Sequence, residues 1–152
     1  MKYRIKLFLI FISVFTISEL SMAQADFQKK FEAANTLLEQ KQYEIAKDIW
    51  KDLAKENPKN ANVSYKTGLC LLNTTFEKNE ALAYLKKAEK NISSKYSPID
   101  FTIKNAPIET HYYLAKAYHH NYNIDSAIKY FKYFQNKGPK KHFLQEKIPL
   151  YL

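Results

Sequence analysis

One spacing of five residues occurs twice in this chain of 152 residues, and it constrains the fold more than any other feature of the sequence. In both copies the five positions are separated by three, nine, four and eight residues. They are Ala34, Leu37, Ala46, Trp50 and Pro58 in the first copy and Ala115, Tyr118, Ala127, Phe131 and Pro139 in the last. A degraded middle copy, which begins 34 residues after the first, keeps Gly68, Leu71, Ala81 and Leu85. Such repetition is the signature of a solenoid of stacked supersecondary units.

The apolar residues of each copy recur at the period of an α-helix. Phe27, Phe31 and Ala34 share one face of a predicted helix at 26–40, and 42–56 repeats the pattern. The link between these helices is so short that they must run antiparallel. A proline then ends the pair, because the residue before a proline avoids the helical conformation. The sequence therefore predicts three antiparallel hairpins, at about 26–57, 60–90 and 107–138.

The repeat period lengthens between the second and third copies, where Gly68 and Ala115 are 47 residues apart. One extra residue falls in the turn at 73–77, and the other 12 fall within an insertion at 91–106. The large apolar side chains of this insertion are Tyr96, Ile99, Phe101 and Ile103. Either the insertion packs back onto the solenoid as a long loop, or it contributes to function, as long loops in compact domains often do.

Proline and glycine mark the limits of the third hairpin. Asn105 followed by Pro107 is typical of an N-cap with an early proline, and 137–139 reads as a helix stop. The tail at 142–152 is predicted to be irregular or to form a partial capping helix, limited by Pro149.

The first residues are typical of a secretory signal peptide. Lys2, Arg4 and Lys6 precede an apolar run at 7–17, and small residues lead to a predicted cleavage after Ala23. The run is short against the roughly 20 residues needed to span a bilayer. We therefore expect an exported protein, in the periplasm or associated with the outer membrane, without stable membrane insertion after residues 1–23 are removed.

Charge and cysteine content narrow the function classes. The formal net charge is +9, and removal of 1–23 leaves 21 basic and 14 acidic residues, with lysine as the only strong cation. Lysine lacks the bidentate fork of arginine, so specific nucleic-acid recognition is not expected. The single cysteine, Cys70, cannot form an internal disulfide, and its apolar neighbours predict a buried free thiol.

Residues 26–141 resemble the tetratricopeptide repeat (TPR). Small residues such as Ala34 and Ala46 let paired helices approach closely, while large ones such as Trp50 fill the space between hairpins. The resemblance implies an all-α, right-handed solenoid of about three TPR hairpins after the signal peptide, with a TPR-like domain at 24–141.

A closer resemblance rests on 60–72, 106–131 and the long insertion between them. These runs are similar to the N-terminal repeat region of Bacteroidetes envelope proteins, in which a β-propeller and an OmpA-like peptidoglycan-binding domain usually follow. Some members of that family serve type IX secretion. The resemblance implies either a stand-alone repeat protein or a truncated or split N-terminal segment of such an anchored protein.

In this repeat class the first helix of each pair lines a concave groove. The residues expected to be exposed there are Gln28, Asn35, Asn62, Tyr65, Asn73, Tyr112, Lys116 and His119, and all of them except Gln28 are predicted to bind a partner. Tyrosine, asparagine and lysine suit the capture of an extended peptide or a partner helix. The alternative is that these side chains are ordinary solvated residues.

No residue constellation indicates catalysis, a metal or a cofactor. His111 and His119 would be about 12 Å apart along one helix, and the adjacent His119 and His120 diverge by about 100°. Neither a glycine-rich phosphate loop nor a Ser–His–Asp arrangement is present in the sequence. We therefore expect a non-enzymatic module that binds a protein or peptide partner in the cell envelope.

The end of the third hairpin is predicted to expose apolar residues near Phe134, Phe143 and Leu150. Solenoid ends normally need a polar cap. Two outcomes stay open, namely capping by the tail and burial of this end in a dimer. The tail is a poor polar cap, which favours self-association or a further domain.

Overall fold

The computed structural model describes residues 22–150. Three helix hairpins follow one another in this part of the chain, and no strand occurs in it. The helices are α1 (22–39), α2 (Tyr43–Glu56), α3 (Ala61–Leu71), α4 (Ala81–Glu89), α5 (Thr110–His120) and α6 (Ile124–Lys137), with short 3-10 helices at Lys78–Glu80 and Gln145–Leu150. Each helix from α2 onward packs on the next, and α3 also contacts α5. The all-α solenoid prediction is confirmed, whereas most of the predicted signal peptide lies outside the described residues.

Small residues at the repeat positions allow close helix pairing. Ala34 of α1 and Ala46 of α2 are fully buried in one cluster. A Cβ atom built on Gly68 would lie 2.5 Å from Cγ of Leu85 and 3.3 Å from the carbonyl oxygen of Ala81. Because such a contact is too close for a methyl group, α3 and α4 can pack at this distance only with glycine at this position.

Large residues join successive hairpins. The Trp50 ring packs edge-on against Phe31 with centroids 5.2 Å apart. The Thr67 hydroxyl oxygen of α3 lies 3.1 Å from the Trp50 carbonyl oxygen and 2.8 Å from that of Val63, so its one proton is shared between a contact to α2 and one within α3. Leu85 and Leu114 lie in one buried cluster across the second boundary. The core therefore consists of three buried clusters along the stack, joined by partly buried tyrosines such as Tyr84 and Tyr113.

The turns inside the first and third hairpins share one backbone conformation. Lys41 and Tyr122, each seven residues after the first small residue of its copy, have φ angles of 59° and 60°. This left-handed conformation reverses the chain within two residues. The middle turn is one residue longer and continues through the 3-10 helix at Lys78–Glu80.

The third hairpin begins later than the sequence suggests. Helix α5 starts at Thr110, and the preceding residues form a turn in which the Thr110 amide donates to the Pro107 carbonyl oxygen. Asn105 is therefore not an N-cap; its side-chain amide donates instead to Asn91 Oδ1 at 2.6 Å. Helix α6 ends at Lys137 and is followed by Gly138.

The tail covers the last hairpin. Leu144 and Ile148 are buried with Tyr112 and Phe134, and the Gln145 side-chain amide donates to the Phe134 carbonyl oxygen at 3.2 Å. Phe134 is therefore covered by the tail, which is one of the two outcomes that the sequence left open. Phe143 stays largely exposed, and nothing is described of the Leu150 side chain.

Candidate functional site on the concave face

The insertion segment, residues 91–106, returns to the start of α3. A bridge between Ile92 and Ala106 closes its base. The backbone amides of Ala61 and Asn62 donate to the Lys104 carbonyl oxygen at 2.9 and 3.2 Å. Amides in the first turn of a helix have no partner within the helix, so the insertion segment satisfies groups that α3 cannot satisfy itself.

Two predicted groove residues lie beneath this segment. The Asn62 side chain donates to the Ile103 carbonyl oxygen at 3.0 Å and accepts from the Tyr96 hydroxyl at 3.1 Å. Tyr65 packs edge-on against Tyr96, with centroids 6.0 Å apart. Both Asn62 and Tyr65 are buried. Their expected exposure is wrong, because the insertion segment covers this half of the concave face.

A buried lysine that the sequence analysis did not single out ties the segment to α1. Lys66 is 2% exposed, and its Nζ donates to Asn35 Oδ1 at 2.5 Å and to the Pro98 carbonyl oxygen at 2.8 Å. The same Nζ lies 5.3 Å from the centroid of the Phe31 ring. Burial lowers the pKa of Lys66 to about 8. The burial of Lys66 has one signal in the sequence. Residues 61–72 lack the polar stripe of a solvated helix face, so a lysine within them is expected to be covered.

Asn35 is also buried, contrary to expectation. Its side chain accepts from Lys66 and donates to Glu39 Oε1 at 2.9 Å. The amide thus links a buried cation to an exposed carboxylate, and its role in the described structure is internal.

The other half of the concave face is open. A depression of about 310 Å³, here called the open groove, lies between α1, α3, α5 and the tail. It is lined by Leu38, Glu39, Tyr43, Leu69, Asn73, Tyr112, Tyr113, Lys116, Phe143, Leu144 and Lys147. Of the predicted groove residues, Asn73 and Lys116 reach solvent here. Tyr112 is 2% exposed, contrary to expectation, and forms part of the floor.

A smaller depression of about 170 Å³ adjoins the open groove and shares Lys116 with it. Its other lining residues are Leu72, Lys78, His119 and His120. His119 therefore lies beside the open groove and does not line it. The pKa of Lys116 is lowered by burial and by the positive charges of Lys147 and Lys78.

The two chemical features at issue in the described residues are clusters of metal ligands and the cysteine. No group of three or more histidine, cysteine or acidic residues among them could hold a metal ion. Cys70 is buried, as predicted, and its Sγ donates to the Tyr43 carbonyl oxygen at 3.2 Å. Burial raises the pKa of this thiol to about 12, so Cys70 is not an activated nucleophile.

Comparison with known proteins supports the repeat assignment. A sequence model of the family described as "Tetratricopeptide repeat" matches residues 21–60, which include the α1–α2 hairpin. No curated protein sequence matches the chain. No helix among residues 22–150 is long and apolar enough to cross a membrane. The resemblance to a tetratricopeptide repeat is thus confirmed for the first hairpin. The closer resemblance to Bacteroidetes envelope proteins finds no support in these comparisons.

Proposed function

We propose that this protein is a non-enzymatic interaction module that binds an extended segment of a partner protein in its open groove. Tetratricopeptide repeats are in general protein-interaction modules, and residues 21–60 match one. The observation that carries the proposal is the open groove itself, since residues of α1, α3 and α5 line it and the insertion segment leaves it free.

The lining offers both apolar and polar contacts to a bound peptide. Leu38, Leu69 and Phe143 supply apolar surface, while Asn73 and Lys116 supply polar groups that fix an orientation. A groove across several helices offers pockets for successive side chains of an extended chain.

The proposed setting is the periplasm or the outer membrane, and the partner is then a cell-envelope protein. This part of the proposal is supported by the basic and apolar segments of residues 1–23. Cell fractionation with an antibody against the protein tests it. Recovery in the cytoplasm at full length would contradict it.

The alternative function is the N-terminal segment of an OmpA-like, peptidoglycan-anchored protein linked to type IX secretion. The similarity of 60–72 and 106–131 to such proteins favours it. Sequencing the neighbouring DNA tests it. A reading frame for a β-propeller and an OmpA-like domain would support this alternative, and unrelated neighbours would contradict it.

A bulky substitution in the groove tests the main proposal. Partners are captured by cross-linking in a periplasmic extract, identified, purified and measured for affinity. Asn73→Trp places an indole in the open groove, and we expect it to weaken binding at least about tenfold, a loss of roughly 1.4 kcal/mol. The matched control is Asn136→Trp, on an exposed face of α6. Equal binding by both variants would contradict the proposal.

A further inference from the structure

Three lysines converge where the open groove meets the smaller depression. Lys116 lines both depressions, Lys147 lines the open groove and Lys78 lines the smaller one. They come from α5, the tail and the 3-10 helix at Lys78–Glu80, so the tertiary fold brings them together.

None of these lysines has a carboxylate partner among residues 22–149. The lysines in ion pairs there are Lys30, Lys47 and Lys51. Lys147 Nζ instead lies 5.4 Å from the centroid of the Phe143 ring. No acidic residue lines the smaller depression, and Glu39 is the one carboxylate that lines the open groove, so the two linings together hold three lysines against one carboxylate. The charge of the two adjoining depressions is therefore net positive, and a net positive surface attracts carboxylates.

We propose that the occupant of the open groove is an extended acidic segment of the partner, in which carboxylate side chains alternate with apolar ones. This inference rests on the proposed function and names the partner's chemistry. In an extended chain successive side chains point to opposite sides. Alternate carboxylates can then reach Lys116 of α5 and Lys147 of the tail, while the apolar residues contact Leu38 of α1 and Leu69 of α3.

The recognition is electrostatic and does not require one fixed orientation of the carboxylates. An ammonium group is a point charge on a flexible stem and does not impose the bidentate fit of arginine. Carboxylates within the partner's sequence therefore suffice, without a free C-terminus. Because the lysines are partly solvated, the interaction weakens as salt screens the charges.

Fluorescence anisotropy with three labelled, C-terminally amidated peptides tests this inference. The probes alternate leucine with glutamate, glutamine or lysine. We expect the glutamate probe to bind about tenfold tighter than the glutamine probe and to lose affinity as salt is added. Lys116→Gln with Lys147→Gln should weaken its binding about fivefold. Lys129→Gln with Lys132→Gln, which removes the same charge from exposed positions of α6, should not change it.

Three results would overturn the inference. The first is equal affinity for the glutamate and glutamine probes; if Asn73→Trp weakens both, the proposed function survives without the acidic preference. The second is an equal effect of the two lysine pairs, which would indicate attraction by net charge alone. The third is no binding of the glutamate probe. The proposed function is then tested separately, by the affinity of the captured partner for the wild type and for Asn73→Trp.

Discussion

At the scale of single residues, Lys66 is the most unusual group in the described structure. Its ammonium is removed from water and held by two oxygen acceptors and aromatic rings. Burial of a charge is costly unless hydrogen bonds and neighbouring charges offset the loss of hydration. The offset is incomplete here, since the pKa of Lys66 is lowered to about 8.

The lowered pKa predicts a dependence of stability on pH. The pKa of an unfolded lysine is about 10.4, so between about pH 8 and 10.4 the unfolded chain binds more protons than the folded one at this site. The free energy of unfolding then rises with pH. From about pH 7 to about pH 9.5, Lys66 should add about 2 kcal/mol to stability.

The raised pKa of Cys70 acts in the opposite direction over much of this range, because the unfolded thiol ionises first. The measurement is therefore a difference, namely urea unfolding of wild type and Lys66→Met at both pH values. We expect the wild type to gain about 2 kcal/mol more than the variant on going to the higher pH. The same pH dependence in both proteins would show that Lys66 is solvated.

At the scale of elements, the repeat periodicity predicts the helices and their pairing but not the path of the insertion. Paired helices need small residues where they touch, and Ala34 and Gly68 occupy such positions. A loop carries no such period. Its course depends on side-chain partners distant in sequence, such as Asn62 and Ile103, 41 residues apart. The periodicity therefore predicts that this part of α3 faces solvent, whereas the insertion segment covers it.

The contacts of Asn62 predict how firmly the insertion segment is held. Asn62→Ala leaves the Ile103 carbonyl and the Tyr96 hydroxyl without these partners. We expect a loss of about 2 kcal/mol in the free energy of unfolding and faster tryptic cleavage at Lys95 and Lys104, both exposed.

The matched control for this change is Asn73→Ala, also on the concave side but exposed, whose side chain donates to the Leu69 carbonyl oxygen at 2.8 Å. We expect its tryptic cleavage within 91–106 to match wild type. Equal cleavage of the two variants, followed by mass spectrometry of the fragments, would mean that the insertion segment is held by its other contacts.

At the scale of the whole molecule, one half of the concave face is covered by the chain itself and the other half is open. The insertion segment fills the half of the concave face that contains Asn62 and Tyr65, and the tail forms one wall of the other half. Of the residues predicted for the groove, the exposed Asn73 and the partly exposed Lys116 remain accessible along it. The helix order predicts which helices line the concave face, and that face stays a prediction as a binding site. The repeat pattern does not predict which half of it the insertion segment covers.

The tail predicts how the molecule behaves in solution. Leu144 and Ile148 close the end of the solenoid over Tyr112 and Phe134, and uncovered apolar ends of repeat arrays promote association. Replacing both with serine should cost several kcal/mol of stability, at about 2–5 kcal/mol for each large side chain lost from a core. It should also raise the dimer fraction in sedimentation velocity.

The control is Phe143→Ser, at an exposed position of the same segment, which should change neither the free energy of unfolding nor the dimer fraction appreciably. If the double variant has the same free energy of unfolding and the same dimer fraction as Phe143→Ser, the tail does not act as the cap. In that case the loss of its two buried side chains would expose no apolar surface able to drive association.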